Sequence, residues 1–394
     1  MSLLSLQRES RGGPASSGAG LTVCEVRSRR ELKQYIEFPW RIYARDPNWV
    51  PPLRREVEEF VDPARHPFYR HGAAAKFIAL RQGRVVGRIL ASDDPHYNVE
   101  HQANTGCFGM FESIDDPAVA HALLDTAAGW LRARGRTSIL GPIDYSVNYP
   151  CGLLVDGFHT PPRFMMNHHP PYYAALLQSW GLAKAKDLYA WWFDPARVSA
   201  TWRDRTERLS RRSRAQVRAF RLDDYEADLE RCLGVYNAMR GGGWGFVRLT
   251  EAEFRYFGQR IAQITPPEQV LLAEIDGRAV GFSVTLPDVN EAIRPLNGRL
   301  TRFGLPIGLL RLLWRLRRVK TARMLVLGLL EGYRRRAIAE KVILQTLDYG
   351  TQVIGYQFAE LGWTLEDNLP INLTIESVGG QRYKTYRVFE RSIV

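Results

Sequence analysis

Three consecutive arginines, Arg334, Arg335 and Arg336, stand directly before the run Ala337-Ile338-Ala339. Ahead of them Leu327-Gly328-Leu329-Leu330 has the apolar character of a strand about to end. A helix that starts after such a strand leaves its first N–H groups unpaired and its partial positive charge exposed, which makes a seat for phosphate. Small side chains at Ala337 and Ala339 let the backbone approach an anion closely, and the arginines add charge-assisted hydrogen bonds. Ile338, Val342 and Tyr349 fall on one helical face, as packing on a sheet requires. Taken alone, the segment reads equally well as an arginine-rich helix start on a solvated face. All eight histidines lie at or before His169. Chemistry in the second half therefore rests on carboxylates, tyrosine, water or substrate geometry. His168-His169 is an adjacent pair whose side chains diverge, so it reads as a surface approach to a helix, and no metal is implied.

The elements that must position this turn follow from hydrophobic periodicity and turn residues. In the first half, strands are expected at 21–26, 74–80, 85–91, 105–111, 138–141 and 187–193, with helices at about 29–43, 117–134 and 170–180. Gln82-Gly83 marks a hairpin, and Asp116 before Pro117 is a helix cap followed by proline at the first helical position. The stretch 195–221 is basic and helical in character, and a domain boundary is placed near Asp194. The order then begins again: strand 217–222, helices 227–239 and 252–264, a hairpin of 270–275 and 279–286 around Asp276-Gly277, strand 324–330, helix 335–349, strand 357–363, helix 369–377 and strand 384–390. The repetition suggests a structural duplication. Three segments result: a disordered tail over 1–20, a first domain over 21–194 and a second over 195–394.

The chain of 394 residues is long enough for two domains with cores of their own, and its composition (45% apolar, 24% charged) is that of a folded protein. A formal charge of +12 favours an anionic partner: cofactor phosphates, nucleic acid or an anionic membrane. Cys24, Cys107, Cys151 and Cys232 form no close-spaced pair, so neither a zinc site nor a disulfide framework is read from them, and a cytoplasmic setting is expected. Residues 1–20 lack the apolar core of a signal peptide, and the chain contains no apolar run of membrane-spanning length.

Arg334-x-x-Ala337-x-Ala339 resembles the pyrophosphate loop Arg/Gln-x-x-Gly-x-Gly/Ala of the GNAT superfamily of acyltransferases, with alanine in place of the first glycine. Glu360-Leu-Gly-Trp363, the helix led by Asn368, Gly379-Gly380 and the closing strand around Tyr383-Lys384 resemble the last third of that fold. Where many members carry a tyrosine acid, this chain has Ile375. Both halves together resemble a bacterial family of tandem GNAT proteins, on Arg45-Asp-Pro-Asn-Trp-Val-Pro-Pro52, His66-Pro-Phe-Tyr-Arg70, Cys151-Gly-Leu-Leu-Val-Asp-Gly-Phe158, Pro170-Pro-Tyr-Tyr173 and Lys384-Thr-Tyr-Arg387. Its neighbourhood includes acyltransferases of the bacterial ceramide synthase type, which N-acylate a sphingoid base. The resemblance implies two mixed α/β domains in tandem, and transfer of an acyl group from acyl-CoA or acyl-carrier protein to an amine. It implies a cofactor site at Leu329, Leu330, Arg334, Arg335, Arg336, Ala337, Ile338, Ala339 and Asn368, with backbone N–H groups near Leu329 and Leu330 polarising the thioester carbonyl. Glu331 is then the candidate base, with Glu366 and Tyr383 as further candidates for base and acid. The matching turn of the first half carries Glu112, Asp115 and Asp116, which repel a pyrophosphate, so that half is expected to be degenerate. Its Tyr145, Asn148 and Asp156 read either as a substrate groove or as capping and turn residues.

Residues 299–323 carry seven arginines and one lysine but no acid, around Leu309, Leu310, Leu313 and Trp314. The segment reads either as an anionic-membrane anchor or acyl-chain groove, or as a helix packed on the core with solvated arginines. Peripheral association with the inner membrane follows from the first reading. Two other functions fit the basic surface: a peptidoglycan-type aminoacyl transferase using charged tRNA, and a non-catalytic protein that binds lipid surfaces.

Overall fold

In the computed structural model, which describes residues 20–239, 243–301, 304–334 and 336–394, the strands join in one mixed sheet. The first half supplies β1 (Leu21–Glu25), β2 (Ala73–Arg81), β3 (Arg84–Asp93), β4 (Thr105–Ser113), β5 (Ser138–Gly141), β6 (Leu153–Asp156) and β7 (Ala183–Phe193). The second supplies β8 (Gln216–Ala219), β9 (Val270–Ile275), β10 (Arg278–Pro287), β11 (Thr321–Leu329), β12 (Phe358–Leu365) and β13 (Gln381–Ser392). The helices that shape the site are α1 (Arg29–Glu37), α2 (Pro117–Arg132), α3 (Ala200–Arg212), α4 (Tyr225–Met239), α5 (Glu251–Ala262), α6 (Ile307–Leu316), α7 (Ile338–Asp348) and α8 (Leu369–Ser377). The expected tail falls almost wholly on residues 1–19, outside the described residues, as does Arg335.

The two halves repeat one pattern. β1 to β4 are joined by antiparallel pairings and β4 meets β5 in parallel. β8 to β11 and then β12 do the same. Both hairpins form where expected, with Gln82-Gly83 and Asp276-Gly277 in the left-handed region that such two-residue turns require. Asp116 caps α2, its Oδ1 accepting the Ala118 N–H at 2.9 Å. The first expected helix is shorter than its periodicity suggests: α1 stops before Phe38, and a separate short helix starts at Pro39, which cannot donate to the preceding turn.

One feature was not legible beforehand. The sheet order is β1-β2-β3-β4-β5-β13-β7-β12-β11-β10-β9-β8, with β6 beside β13. Thus the last strand of the first half, β7, pairs with β12 of the second, and the last strand of the second, β13, pairs with β5 of the first. The exchange joins the halves through ladder hydrogen bonds and leaves no open sheet edge between them. One apolar core lies under α2, with Phe389 and Ile393 of the second half in it, and others lie between the sheet and α4 or α7.

Candidate active site

The arginine-rich turn leads into α7 through a left-handed residue. Ala337 has φ +55° and is the N-cap of α7, and among the described residues no side chain caps the helix. The first-turn N–H groups of α7 are therefore left for an external acceptor. Here the reason for a glycine at this loop position becomes physical: the backbone needs φ > 0, which an alanine adopts at a cost. Ile338 is buried with Val342 beneath the sheet, so it contributes backbone, not side chain.

A cavity of about 730 Å³ opens beside this turn, and Leu329, Arg334, Ala339 and Asn368 are in its wall. It lies between β11 and β12, which pair only from Thr321 with Phe358 to Met324 with Leu361; among the described residues no ladder pair joins them further on. The gap between the diverging strands is closed by α7 and by α8, whose Ile375 faces it. Leu325 is the extra residue of a β-bulge, since Val284 faces Val326 while Thr285 faces Met324. A second cavity, about 200 Å³, is walled by α4, α5 and the sheet, with Leu229, Phe254, Phe257 and Ile261 among its residues. The two cavities share Val147, Leu325, Val326, Gly362 and Trp363, so they meet at the bulge and the opening of the strands.

The first half has the same bulge and fills it itself. Arg88 faces Glu112 while Leu90 faces Gly109, and Met110 in the offset stretch has φ +45°. The Met110 N–H donates to Asp144 Oδ1 at 2.8 Å. The Asp144 carboxyl, pushed up to about 7 by burial, thus stands where the second half has open space. The N-terminus of α2 is likewise satisfied by its own Asp116, which also pairs with Arg81 at 2.7 Å. Glu112 is buried and accepts from Tyr43 and Tyr173 hydroxyls at 2.8 and 2.7 Å. In the first half, carboxylates thus stand both at the bulge and at the helix start.

Several expected site residues stand elsewhere. Glu331 is exposed on the single turn Glu331–Tyr333, which carries it away from both cavity walls. Glu366 accepts from Lys184 at 2.6 Å and from the Asp187 N–H at 3.0 Å, so it fastens β12 to β7 instead of facing a substrate. The Leu330 N–H is spent on the Val280 carbonyl at 2.9 Å, and the opening of the strands comes upstream, at Leu325. Arg336 is exposed and lies over the Tyr333 ring. Tyr383 packs in the same cluster as Trp363, and its buried hydroxyl has no partner among the described residues. Tyr145 is wholly buried, donating to the Phe60 carbonyl at 2.8 Å, and Asp156 ends an outer strand. Asn148 does line the smaller cavity, where it bonds Val247 O and the Tyr236 hydroxyl. The pair His168-His169 is buried, not superficial: His168 Nε2 is 2.7 Å from Asp46, and His169 Nδ1 accepts the Leu154 N–H at 3.1 Å. Among the described residues, one other set of donors is close enough to hold a metal ion. Donor atoms of His71, Asp94 and His96 lie within 4.8 Å of one another, and the two imidazoles stack at 4.2 Å and 5°.

A buried ionic network beneath the meeting point had no motif to announce it. Arg323 and Glu360 face each other across β11 and β12 at 3.4 Å, 2% and 0% exposed. Arg163 pairs with Asp288 at 3.0 Å, and Lys384 donates to the carbonyls of Gly157 and Thr160. Burial pushes the Glu360 carboxyl up to about 7, with Arg323 opposing, and brings the Lys384 ammonium down to about 8. The only hint in the sequence was a single charge inside each of two apolar strands, Thr-Ala-Arg323-Met-Leu and Phe-Ala-Glu360-Leu.

No protein-family model matches the chain. It is 37% identical over 385 residues to the bacterial ceramide synthase of Caulobacter vibrioides (strain NA1000 / CB15N), a match covering 96% of this chain and 99% of the relative. It is 35% identical over 377 residues to protein YghO of Escherichia coli (strain K12), covering 93% and 94% respectively. Among solved structures, a tandem GNAT protein from the clavulanic acid biosynthesis pathway superposes with a TM-score of 0.58 at 14% identity, over 95% of this chain and 99% of that one. A GCN5-related glucosamine N-acetyltransferase region of a fungal multi-domain β-N-acetylglucosaminidase gives 0.55 at 12% identity, over 96% of this chain and 39% of that one. At such identities the structural likeness speaks for the fold.

Proposed function

The chain belongs to the bacterial tandem GNAT acyltransferase family that includes bacterial ceramide synthase, it is an N-acyltransferase, and from that premise we propose that it acylates a long-chain base, with the acyl thioester in the larger cavity and the base in the smaller. The observation that carries this reading is the meeting of the two cavities at Leu325, Val326, Gly362 and Trp363, at the mouth of the opened strands.

On this reading the donor's phosphates rest on the uncapped first turn of α7, near Arg334, and its acyl chain follows the apolar walls between β11, β12 and α8. The thioester carbonyl then sits by the bulge at Leu325. The acceptor's alkyl chain fills the smaller cavity among Phe254, Phe257 and Ile261. Desolvation there disfavours the ammonium form, so the amine arrives as the neutral nucleophile without a carboxylate in the cavity wall. Its nitrogen attacks the carbonyl carbon, a C–N bond forms and the C–S bond breaks. The amine's proton ends on the departing thiolate, with the Tyr383 hydroxyl as the proposed relay that gives its proton to sulfur and takes the one from nitrogen, so that amide and free thiol are the products.

The carrier of the acyl group is coenzyme A or an acyl-carrier protein; exposed Arg205, Arg208 and Arg212 on α3, which packs on α7, suit the anionic part of either. Membrane contact belongs to the same reading. α6 rests on the core through Leu312 and Leu316 but leaves Leu310 and Trp314 63% and 52% exposed, with exposed Arg311, Arg315 and Arg318 around them. Apolar side chains framed by arginines suit an anionic lipid surface that also delivers the acceptor. Among the described residues no helix is long and apolar enough to cross a membrane. Mass spectrometry of lipids from cells lacking the gene tests the proposal: free long-chain amine accumulates and its amide disappears. An unchanged amide pool would sink it.

A further inference from the structure

The smaller cavity is apolar over most of its wall, yet Arg323 stands where it meets the larger one. The guanidinium is held from three sides. Nη1 donates to the Phe164 carbonyl, Nη2 donates to Gly362 O at 3.2 Å, and Glu360 lies behind it. Gly362 is itself part of both cavity walls. One nitrogen makes no hydrogen bond at all: Arg323 Nε is buried and has no partner among the described residues. Neither oxygen of Glu360, which faces Arg323 across the strands, has a hydrogen-bond partner among the described residues. Native interiors rarely leave a buried donor unpaired at a cavity wall, and where they do, a ligand or ordered water completes it.

Resting on the reading above, we infer that Arg323, positioned by Glu360, is the specificity-determining contact for an acceptor that carries a hydroxyl next to its amine. A guanidinium has donors only, so it selects oxygen lone pairs and repels an ammonium. A hydroxyl beside the amine gives Arg323 an acceptor while the nitrogen faces the thioester. The nearby positive charge also favours the neutral, nucleophilic amine. Glu360 does not reach the cavity. It fixes the guanidinium from behind, with Asp288, Arg163, Lys384, Tyr383 and Tyr386 as the other charged or titratable groups around it.

The test compares two acceptors of equal chain length, a long-chain 2-amino-1,3-diol and the matching primary alkylamine, with one long-chain acyl-CoA and the full chain. The wild type is expected to favour the aminodiol by at least ~10-fold in kcat/KM, since a site built to bond a hydroxyl discriminates against its absence. Arg323→Met and Arg323→Lys should bring that ratio toward one, by raising the KM for the aminodiol while the KM for the thioester stays put. Glu360→Gln should lower the ratio less. Equal use of both acceptors by the wild type overturns the inference, as does an Arg323 variant that keeps the wild-type ratio. If Arg323→Met fails to fold, Arg323→Lys, which keeps the charge against Glu360, carries the comparison. Absence of amide from either acceptor refutes the underlying acyltransfer reading instead.

Discussion

Replacing Ala339 by aspartate separates folding from donor binding at the arginine-rich turn. Ala339 is the second residue of α7 and part of the larger cavity's wall. A carboxylate in the first turn of a helix is favourable to the helix itself, by about 0.3–1 kcal/mol. The thermal midpoint should therefore hold or rise slightly. A pyrophosphate on the same N–H groups meets the new carboxylate at about 5 Å, and at an effective dielectric of about 20 each pair of unit charges costs about 3 kcal/mol. Donor affinity should fall by roughly two orders of magnitude or more. Calorimetric titration with coenzyme A reads binding, and thiol release from acyl-CoA reads turnover. Ala337→Gly supplies the contrast: it relieves the left-handed alanine, so donor binding should be kept or improved. If Ala339→Asp binds coenzyme A within threefold of the wild type, the phosphate seat is not at this turn.

Two further expectations follow from the same geometry. Wild-type protein should float with phosphatidylglycerol vesicles at low salt, and Arg311→Glu, Arg315→Glu and Arg318→Glu combined should cut that binding by at least ~100-fold, each basic residue near the surface being worth about 1 kcal/mol; equal flotation of the two proteins would remove the membrane contact. Glu360 gives a pH signature of stability. Its folded-state value is raised by burial to about 7 from the ordinary 4.5. Between those values the folded chain keeps a proton that the unfolded chain releases, so this group makes stability fall as pH rises through the window and changes nothing below it. Glu360→Gln should gain on the wild type from pH 5 to pH 8, by at most about 1.4 kcal/mol per pH unit, in urea unfolding. A constant difference across that range would contradict the burial argument.

What the sequence made legible was local. Gln82-Gly83 and Asp276-Gly277 announce their hairpins because the turn chemistry lies within two residues. Asp116-Pro117 announces α2 for the same reason. The strand–turn–helix at Leu327 to Ala339 is equally local, and it placed Leu329, Arg334 and Ala339 on the larger cavity. Glu331 stands apart from both cavities because one helical turn after β11 carries it into solvent, which no spacing reveals. The Leu330 N–H is bonded to Val280 while the bulge comes earlier, at Leu325, and a bulge is set by how β10 and β11 register. The exchange of β7 and β13 depends on pairings between residues about 200 apart in the chain. The network of Arg163, Asp288, Arg323, Glu360 and Lys384 is scattered over the whole length, and only folding brings it together.

The most direct test of the central claim is made with the purified full chain, a long-chain acyl-CoA and a long-chain aminodiol, following amide by mass spectrometry and free thiol by absorbance. The account predicts amide and thiol appearing in equal amounts, with Ala339→Asp suppressing both. Thiol released without amide, or an amide yield that Ala339→Asp leaves intact, would contradict it.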